Sequence, residues 1–431
     1  MSKSYKKEVY SEEIENKNFS KAVENLEKIY NKIILPVEKN YLFGAFHSPP
    51  LTKADIISKP SVLVLGQYSV GKTTFINYIL GREFPGCHIG PEPTTDSFMA
   101  IMGDKRDRII PGFAAVVSTD LPFTTLNKFG RAFLNKFKVS LVNSPISENI
   151  TFIDTPGVLS GEKQSIGRSY NFPEVVKWFV ERADLILLFF DVHKLDISDE
   201  FKSVINVLKG HEEKTRVVLN KADEINVQQL IRVQGSLMWS LGKVLNISEV
   251  IRVYICSLCD EELRYKECEK LLNSEEEHLL NDLRILPINA IDRKVNEMVK
   301  RAKLVKVHGL IISRLKEEMS YLKKGNCIIS LFKNENNDYK QVQLIHNLPK
   351  IFEELQKKYG LAKNEFPDVK EYQEKLKNFK FDTFNKYNKK QFSEIDRILT
   401  SEDMKNIMDD FQQGISEDTE IQIKSKYIAK L

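Results

Sequence analysis

The stretch GQYSVGKTTF, residues 66–75, combines the residue types and the spacing of a phosphate-binding loop. Gly66 and Gly71 bracket four residues and are followed by Lys72 and Thr73, which satisfies G-x-x-x-x-G-K-[ST] at every fixed position. Glycines let backbone N–H groups approach phosphate oxygens, a lysine reaches the β- and γ-phosphates, and a hydroxyl ligates Mg²⁺. We therefore expect a continuous run of residues to bind a nucleotide: Gly66, Gln67, Tyr68, Ser69, Val70, Gly71, Lys72, Thr73 and Thr74.

A second motif, TFIDTPG at residues 151–157, supplies candidates for the metal ion and the γ-phosphate. Asp154 ends a predicted buried strand, where its carboxylate can hold the Mg²⁺ shell together with Thr73. Gly157 can donate its backbone N–H to the γ-phosphate. Together with Lys72, and with Thr95 of the segment between the two motifs, these two residues are the candidate catalytic groups.

The segment GPEPTTD, residues 90–96, lies between the two motifs, and its prolines and glycine predict a loop. The hydroxyl of Thr94 or Thr95 could close on Mg²⁺ when the γ-phosphate is present. Such a closure would make the segment a nucleotide-dependent switch.

A third motif, VVLNKAD at residues 217–223, ends another apolar run with the N-K-x-D pattern. Asn220, Lys221 and Asp223 are its polar members. A carboxylate is an acceptor only, so at this place it suits the N1 and N2 donors of guanine. From these residues alone, the expected nucleotide is GTP.

The chain around the motifs indicates the elements that must position them. Short apolar runs typical of buried strands alternate with helical patterns between Ser61 and about Ile285. This alternation predicts an α/β fold, a P-loop nucleotide-binding domain with a mainly parallel sheet at residues 59–285. The predicted strands are SVLVL (61–65), ITFID (150–154), LILLFFD (185–191), TRVVLNKAD (215–223, strand and motif) and IRVYI (251–255).

The flanking segments carry apolar residues at helical spacing. We predict a helical domain that combines residues 1–58 with residues 286–431. A break in the pattern, rich in glycine and asparagine, predicts that two helices meet in a tip near residues 320–340.

Composition limits the class of protein. With 431 residues, of which 42% are hydrophobic and 29% charged, the chain is long enough for two or three globular domains. Its longest apolar block, LILLFF at 185–190, is far shorter than the roughly 20 residues that span a bilayer, so any membrane role must be peripheral. Five scattered cysteines, and an N-terminus without the apolar run of a signal peptide, predict a cytoplasmic location.

The net charge of +4 is unevenly distributed. Residues 291–324 contain ten lysines and arginines against four acidic residues. Such a run is typical of a solvated helix face, and it could also bind anionic lipid or nucleic acid.

In seven long stretches the sequence resembles the EH-domain-containing (EHD) ATPases of the dynamin superfamily, which remodel endocytic membranes. The similarity continues through RKVNEMVKRAKLVKVHGLIISRLKEEM, residues 293–319, and weakens towards residue 410. Long blocks in one order are more specific than a phosphate loop alone. The stretches are NYLFGAFHSPPL (40–51), GQYSVGKTTF, GPEPTTDSFMAIM, FIDTPGVLSGEKQ, DVHKLDISDEF, RVVLNKAD and GSLMWSLGKV.

The resemblance implies ATP with Mg²⁺ in place of GTP, and slow hydrolysis that accelerates when dimers assemble into rings or helices on lipid. By position, Lys72 and Thr73 bind phosphate and Mg²⁺, Thr95 is the switch threonine, and Asp154 and Gly157 sense the γ-phosphate. Mg²⁺ ligands are then Thr73, Thr95 and Asp154.

The resemblance also assigns contacts with partners. Trp239 matches a tryptophan at the family's dimer contact, although the residues alone favour a buried core tryptophan. The membrane contact falls at the helical tip, where Lys323, Lys324, Phe332 and Lys333 would meet anionic lipid on endosomal or plasma membrane. The family's EH domain, which takes Asn-Pro-Phe peptides, has no counterpart in this sequence, so such peptide partners are not expected.

Two alternatives to the ATPase interpretation stay open. N-K-x-D and the basic run are compatible with a GTP-dependent switch that binds nucleic acid, whereas the EHD interpretation expects no nucleic acid. Because no obvious water-positioning glutamine follows D-T-P-G, a scaffold that binds nucleotide without turnover is also possible.

Overall fold

The computed structural model describes residues 13–87, 97–158, 170–245, 251–258, 262–324 and 335–400. This part of the chain forms two compact units. The nucleotide unit contains Ser58–Ala290, and the helical unit contains Lys17–Ile57 together with the chain from Ile291 onward.

The α-helices of both units are numbered in chain order. They are α1 (Glu13–Ile29), α2 (Leu35–Asn40), α3 (Phe43–Phe46), α4 (Lys53–Ile57), α5 (Lys72–Leu80), α6 (Gly112–Val117), α7 (Gly130–Leu134), α8 (Pro145–Asn149), α9 (Phe172–Arg182), α10 (Asp199–Val207), α11 (Val227–Leu245), α12 (Glu269–Lys324), α13 (Glu335–His346), α14 (Leu348–Tyr359), α15 (Val369–Leu376) and α16 (Lys389–Thr400). A π-helical turn, Tyr30–Ile34, joins α1 to α2. None of the helices in the described ranges is long and apolar enough to cross a membrane.

The nucleotide unit is built on an eight-stranded sheet in the order β3-β4-β2-β5-β1-β6-β7-β8. Five strand pairs are parallel, and two, β2 with β5 and β3 with β4, are antiparallel. The predicted mainly parallel α/β fold is therefore confirmed. The strands are β1 (Ser61–Gly66), β2 (Phe98–Gly103), β3 (Arg108–Pro111), β4 (Phe137–Val142), β5 (Thr151–Asp154), β6 (Leu185–Asp191), β7 (Thr215–Asn220) and β8 (Val253–Ile255).

The central strands are apolar because helices cover both faces of a parallel sheet. Every residue of β6 is buried, including Asp191 at its end. Strands β1, β5, β6 and β7 run parallel, so their carboxyl ends meet at one edge, where α/β proteins bind ligands. Three register pairs fix this edge: Val64 with Asp154, Gly66 with Phe189, and Asp191 with Asn220.

Two features differ from the sequence prediction. Strands β2, β3 and β4 were not predicted, because β3 is a mostly exposed edge strand and β2 has no β-branched run. Helix α12 begins at Glu269 and continues through Pro287, whereas the second segment of the predicted helical domain begins only at residue 286. Buried residues on both sides, Leu283 and Ile291, hold the helix together where the proline removes one hydrogen bond.

The helical unit has a polar group at the centre of its aromatic core. The His308 ring is buried, with Nε2 2.7 Å from the carbonyl oxygen of Tyr41 and Nδ1 2.8 Å from the hydroxyl of Tyr372. A carbonyl only accepts, so Nε2 carries the proton and Nδ1 accepts from Tyr372. An ion pair between the partly buried Arg301 and the buried Glu38 also joins α2 to α12, with Arg301 Nε 2.6 Å from Glu38 Oε1.

Candidate nucleotide-binding site

The phosphate loop, residues 66–73, connects β1 to α5 as the motif predicts. Gly71 has a left-handed φ of 95° at the start of α5, and a Cβ at this position would collide with the Asn220 side-chain amide. Only glycine tolerates both the left-handed φ and the close approach of the Asn220 amide. Helix α5, which follows the loop, ends at Leu80, and Gly81 caps it with a left-handed φ of 69°.

The Lys72 ammonium is held within the loop. Its side chain is buried in the first turn of α5, and Nζ donates hydrogen bonds to the carbonyl oxygens of Gln67 at 2.8 Å and Gly66 at 3.3 Å. A positive charge in this position, beside the N-terminus of a helix, favours bound phosphate oxygens.

The Thr73 hydroxyl and the Asp154 carboxylate lie together across the sheet edge. Thr73 Oγ1 donates a 2.6 Å hydrogen bond to Asp154 Oδ2. Asp154 is only 1% exposed, and its other oxygen, Oδ1, has no hydrogen-bond partner within the described part of the chain. Burial raises the pKa of this carboxyl group, while the Lys72 charge and the Thr73 hydroxyl oppose the rise.

These oxygens fit a magnesium ion. Mg²⁺ prefers one or two carboxylate or hydroxyl oxygens from the protein and takes further ligands from substrate phosphates and water. A buried carboxylate oxygen without a partner is costly unless a ligand satisfies it. Asp154 and Thr73 are therefore the residues that would hold the ion.

The D-T-P-G segment is fastened to the phosphate loop. Tyr68 N donates to Val158 O at 3.0 Å, and Val158 N donates to Gly66 O at 3.2 Å. A Cβ on Gly157 would lie 2.6 Å from Tyr68 Cα, so a larger residue would push the two segments apart. Thr155, which the sequence analysis did not single out, donates its hydroxyl to Val64 O at 2.7 Å and ties the segment to β1.

The N-K-x-D residues approach the same loop from the end of β7. Asn220 Nδ2 donates to Val70 O at 3.0 Å, and Lys221 Nζ donates to Ser69 O at 2.9 Å. Lys221 Nζ also pairs with Asp191 at 2.6 Å. Asp191 was missed, although its place at the end of an apolar run is the same signal that identified Asp154.

Both oxygens of the Asp223 carboxylate accept hydrogen bonds from other residues of the protein. Ser257 donates its hydroxyl to Oδ1, and Arg264 donates its backbone N–H to Oδ2 at 3.3 Å. Ser257, in the sequence CSLC at residues 256–259, was not predicted to belong to the site.

Several predicted residues lie outside this cluster. Trp239, on α11, is 68% exposed with Lys243 Nζ 4.7 Å from its ring centroid, so the expectation of a buried core tryptophan is wrong. The remaining predictions stay predictions, because they fall outside the described residues or side chains: Thr94, Thr95, Lys323, Lys324, Phe332 and Lys333.

Comparison with curated proteins decides the family. Over 381 residues the chain is 49% identical to EH domain-containing protein 3 of Homo sapiens, covering 88% of this chain and 69% of that protein. Over 384 residues it is 47% identical to EH domain-containing protein 1 of Rattus norvegicus, covering 89% and 70%. The chain belongs to the EH domain-containing protein family.

Family profiles match three parts of this EH domain-containing family member. The profile "N-terminal EH-domain containing protein" matches residues 25–56, "Dynamin family" matches residues 62–222, and "Domain of unknown function (DUF5600)" matches residues 289–408. The nucleotide unit is therefore a nucleotide-binding domain of the dynamin superfamily, and the resemblance inferred from the motifs is confirmed.

Among solved structures, this chain is similar to a chain in the structure of an oligomerised bacterial dynamin pair. The TM-score is 0.36 at 13% identity, and the match covers 96% of this chain and 78% of the other.

Proposed function

We propose that this protein is a membrane-remodelling ATPase that works with Mg²⁺ and assembles on anionic membranes. The observation that carries the proposal is the junction of Thr73 with Asp154 beside the Lys72 ammonium, in a member of the EH domain-containing family. This junction unites a phosphate loop with a metal-binding carboxylate, as phosphoryl transfer requires.

Each residue of the site has a role in hydrolysis. Lys72 binds the β- and γ-phosphates, and the Gly157 N–H faces the γ-phosphate. Thr73 and Asp154 hold Mg²⁺, with Thr95 as a third ligand from the switch segment. The bound ion would neutralise charge on the phosphates, and the protein would contribute mainly by positioning and by electrostatic stabilisation.

Self-association is assigned to the exposed face of α11. Ile231 is 65% exposed and lies two turns before Trp239 on that helix. Gly235 and Gly242 lie four residues before and three after Trp239, on the same side of the helix. A Cβ on either glycine would meet no atom of the described residues within 4 Å. An exposed aromatic side chain bordered by small residues suits a dimer contact.

Membrane binding is assigned to the tip of the helical unit. Lys323, Lys324 and Lys333 carry the charge there, and Phe332 supplies an apolar side chain. At about 1 kcal/mol for each lysine near an anionic surface, one subunit would bind weakly. Assembly would multiply the affinity through avidity, so binding and oligomerisation should reinforce each other. The expected location is the cytoplasmic face of endosomal or plasma membrane.

Titration calorimetry with ATP and GTP tests the nucleotide part of the proposal. We expect saturable ATP binding in magnesium that weakens when EDTA removes the ion, and weaker binding of GTP. Tight GTP binding with no response to ATP would contradict the proposal. It would instead support GTP, the nucleotide that the N-K-x-D motif alone predicts.

A further inference from the structure

The side chain of Gln67 connects the phosphate loop to the segment that follows β6, residues 192–198. Gln67 is buried, only 8% exposed, and its Nε2 donates a hydrogen bond to the backbone carbonyl oxygen of Asp196. A carbonyl oxygen only accepts, so the nitrogen of the Gln67 amide, and not its oxygen, must face Asp196. One residue of the loop is therefore bonded through its side chain to a different part of the nucleotide unit.

The Asp196 carbonyl is a firm point of attachment. Leu195 and Ile197, the residues on either side of it, pack against the hydrophobic core of the nucleotide unit. Ser198 then caps helix α10, its side chain accepting from Phe201 N. Because the backbone is fixed on both sides, the carbonyl oxygen holds the Gln67 amide in a defined place.

The backbone carbonyl of Gln67 holds the Lys72 ammonium. Lys72 Nζ donates to Gln67 O at 2.8 Å and, at the longer distance of 3.3 Å, to Gly66 O. Gln67 thus binds Asp196 with its side chain and Lys72 with its main chain. Loss of the side-chain bond would leave the peptide group of residue 67 freer to rotate, and the ammonium would lose a fixed acceptor.

The end of β6 supports the same loop at a second position. Asp191, the last residue of β6, pairs with Lys221 Nζ at 2.6 Å, and the same ammonium donates to Ser69 O at 2.9 Å. A Cβ on Gly66 would lie 2.6 Å from the Phe189 carbonyl oxygen, so the loop passes directly beside the strand. Strand β6 and the segment after it therefore support the loop along its length.

We propose that Gln67 is a positioning residue for Lys72: its side chain, held by Asp196, fixes the carbonyl that places the ammonium for the β- and γ-phosphates. A charge that is already in place costs no reorganisation when the phosphates arrive. The inference rests on the proposed binding of a nucleoside triphosphate at this loop, and it applies to ATP and GTP alike.

A glutamine beside bound phosphates has a second possible role, the orientation of the attacking water. The two roles affect different steps. Orientation of water changes the turnover of nucleotide that is already bound, whereas the position of Lys72 changes how tightly the triphosphate binds.

The variant Gln67→Met separates these roles, because methionine has the length of glutamine but no N–H donor. Titration calorimetry with Mg²⁺-ATP should show a loss of about tenfold in affinity. Gln343→Met, the same change at an exposed position of α13, is the control and should bind ATP as the wild-type protein does. Wild-type affinity of Gln67→Met combined with slower turnover would overturn the proposal in favour of water orientation.

A double-mutant cycle tests whether Gln67 acts through Lys72. Gln67→Met is compared in the wild-type background and in Lys72→Ala, with affinity taken from the rise of the thermal midpoint in ATP up to millimolar concentration. We expect the tenfold loss to shrink to less than about twofold in Lys72→Ala, because the ammonium that Gln67 positions is then absent. Equal losses in both backgrounds would overturn the proposal.

Two further measurements keep the inference testable if Gln67→Met folds poorly or no nucleotide binds. Gln67→Asn keeps the amide but is one methylene shorter, so it should lose as much affinity as Gln67→Met; wild-type affinity would contradict the proposal. Without nucleotide, the Tyr68 amide, which donates to Val158 O, should exchange faster in Gln67→Met. Unchanged exchange would contradict this inference, whereas absence of nucleotide binding by the wild-type protein would contradict the proposed function.

Discussion

Thr73 Oγ1 lies 2.6 Å from Asp154 Oδ2, and this hydrogen bond joins the first turn of α5 to the end of β5. It brings together two motifs 81 positions apart in the chain. The other oxygen of Asp154, buried and without a partner in the described part of the chain, is the natural position for a cation.

Asp154→Asn should separate folding from metal-dependent binding. Because burial disfavours the charged carboxylate, the amide should leave the thermal midpoint of the ligand-free protein unchanged or raise it. Loss of the ligand should weaken Mg²⁺-ATP binding at least about tenfold, or about 1.4 kcal/mol. Thermal unfolding without Mg²⁺-ATP measures the midpoint of the ligand-free protein, and the increase of the midpoint in Mg²⁺-ATP measures binding. The variant Asp199→Asn, at an exposed position, is the control. A variant still stabilised by Mg²⁺-ATP to the wild-type extent would exclude Asp154 as ligand.

Trp239→Ala should abolish dimers without destabilising the fold. The ring is mostly exposed in the subunit, so the change in unfolding free energy should stay within about 0.5 kcal/mol. Light scattering in Mg²⁺-ATP should show dimers of the wild-type protein and monomers of the variant. Leu271→Ala, at another exposed apolar side chain of the nucleotide unit, is the matched control. Dimers that persist in Trp239→Ala would place the contact elsewhere.

The paired change Lys323→Ala and Lys324→Ala should weaken binding to anionic vesicles. At about 1 kcal/mol per lysine, a single subunit should lose roughly thirtyfold in affinity, and more when assembled. Flotation with phosphatidylserine vesicles at low salt measures the loss. Lys357→Ala with Lys358→Ala, an exposed lysine pair in the last turn of α14, controls for total charge. Equal loss in both paired variants would show that net charge, and not the tip, drives binding.

Acid should destabilise the helical unit through its buried histidines. Burial lowers the pKa of His308 to about 3 and that of the half-buried His47 to about 4. Below about pH 6.5 the unfolded chain takes up protons that the folded chain does not, so stability is complete above that pH and falls as pH decreases. For His308 the slope approaches about 1.4 kcal/mol per pH unit.

Urea unfolding followed by circular dichroism between pH 7 and pH 4 tests the histidine effect. His308→Gln should unfold at lower urea concentration at pH 7 and show a shallower pH dependence than the wild-type protein. His278→Gln, at a half-exposed position in α12, should leave the slope unchanged. An identical slope in His308→Gln would show that other groups cause the acid sensitivity.

The sequence predicted the parts of the site that depend on local chemistry. A phosphate loop imposes glycines and a lysine at fixed spacing, and strands buried on both faces must be apolar, so β1, β5, β6 and β7 could be recognised. Their order in the sheet followed from the structure. The parallel arrangement then explains why Thr73 and Asp154 meet.

Other features depend on tertiary contacts that no local pattern contains. Strand β3 is exposed at the sheet edge and carries little hydrophobic signal. Trp239 has the composition of a core residue, and only the packing of α11 shows that it faces outward. Asp223 matches the guanine-reading pattern, whereas its partners Ser257 and Arg264 become visible only when β8 is placed beside β7.

The most direct test is steady-state phosphate release from ATP and from GTP, with and without anionic vesicles at low salt. We predict slow release from ATP, acceleration by vesicles, and loss of that acceleration in Trp239→Ala. Release from GTP alone, at a rate indifferent to vesicles, would contradict this prediction.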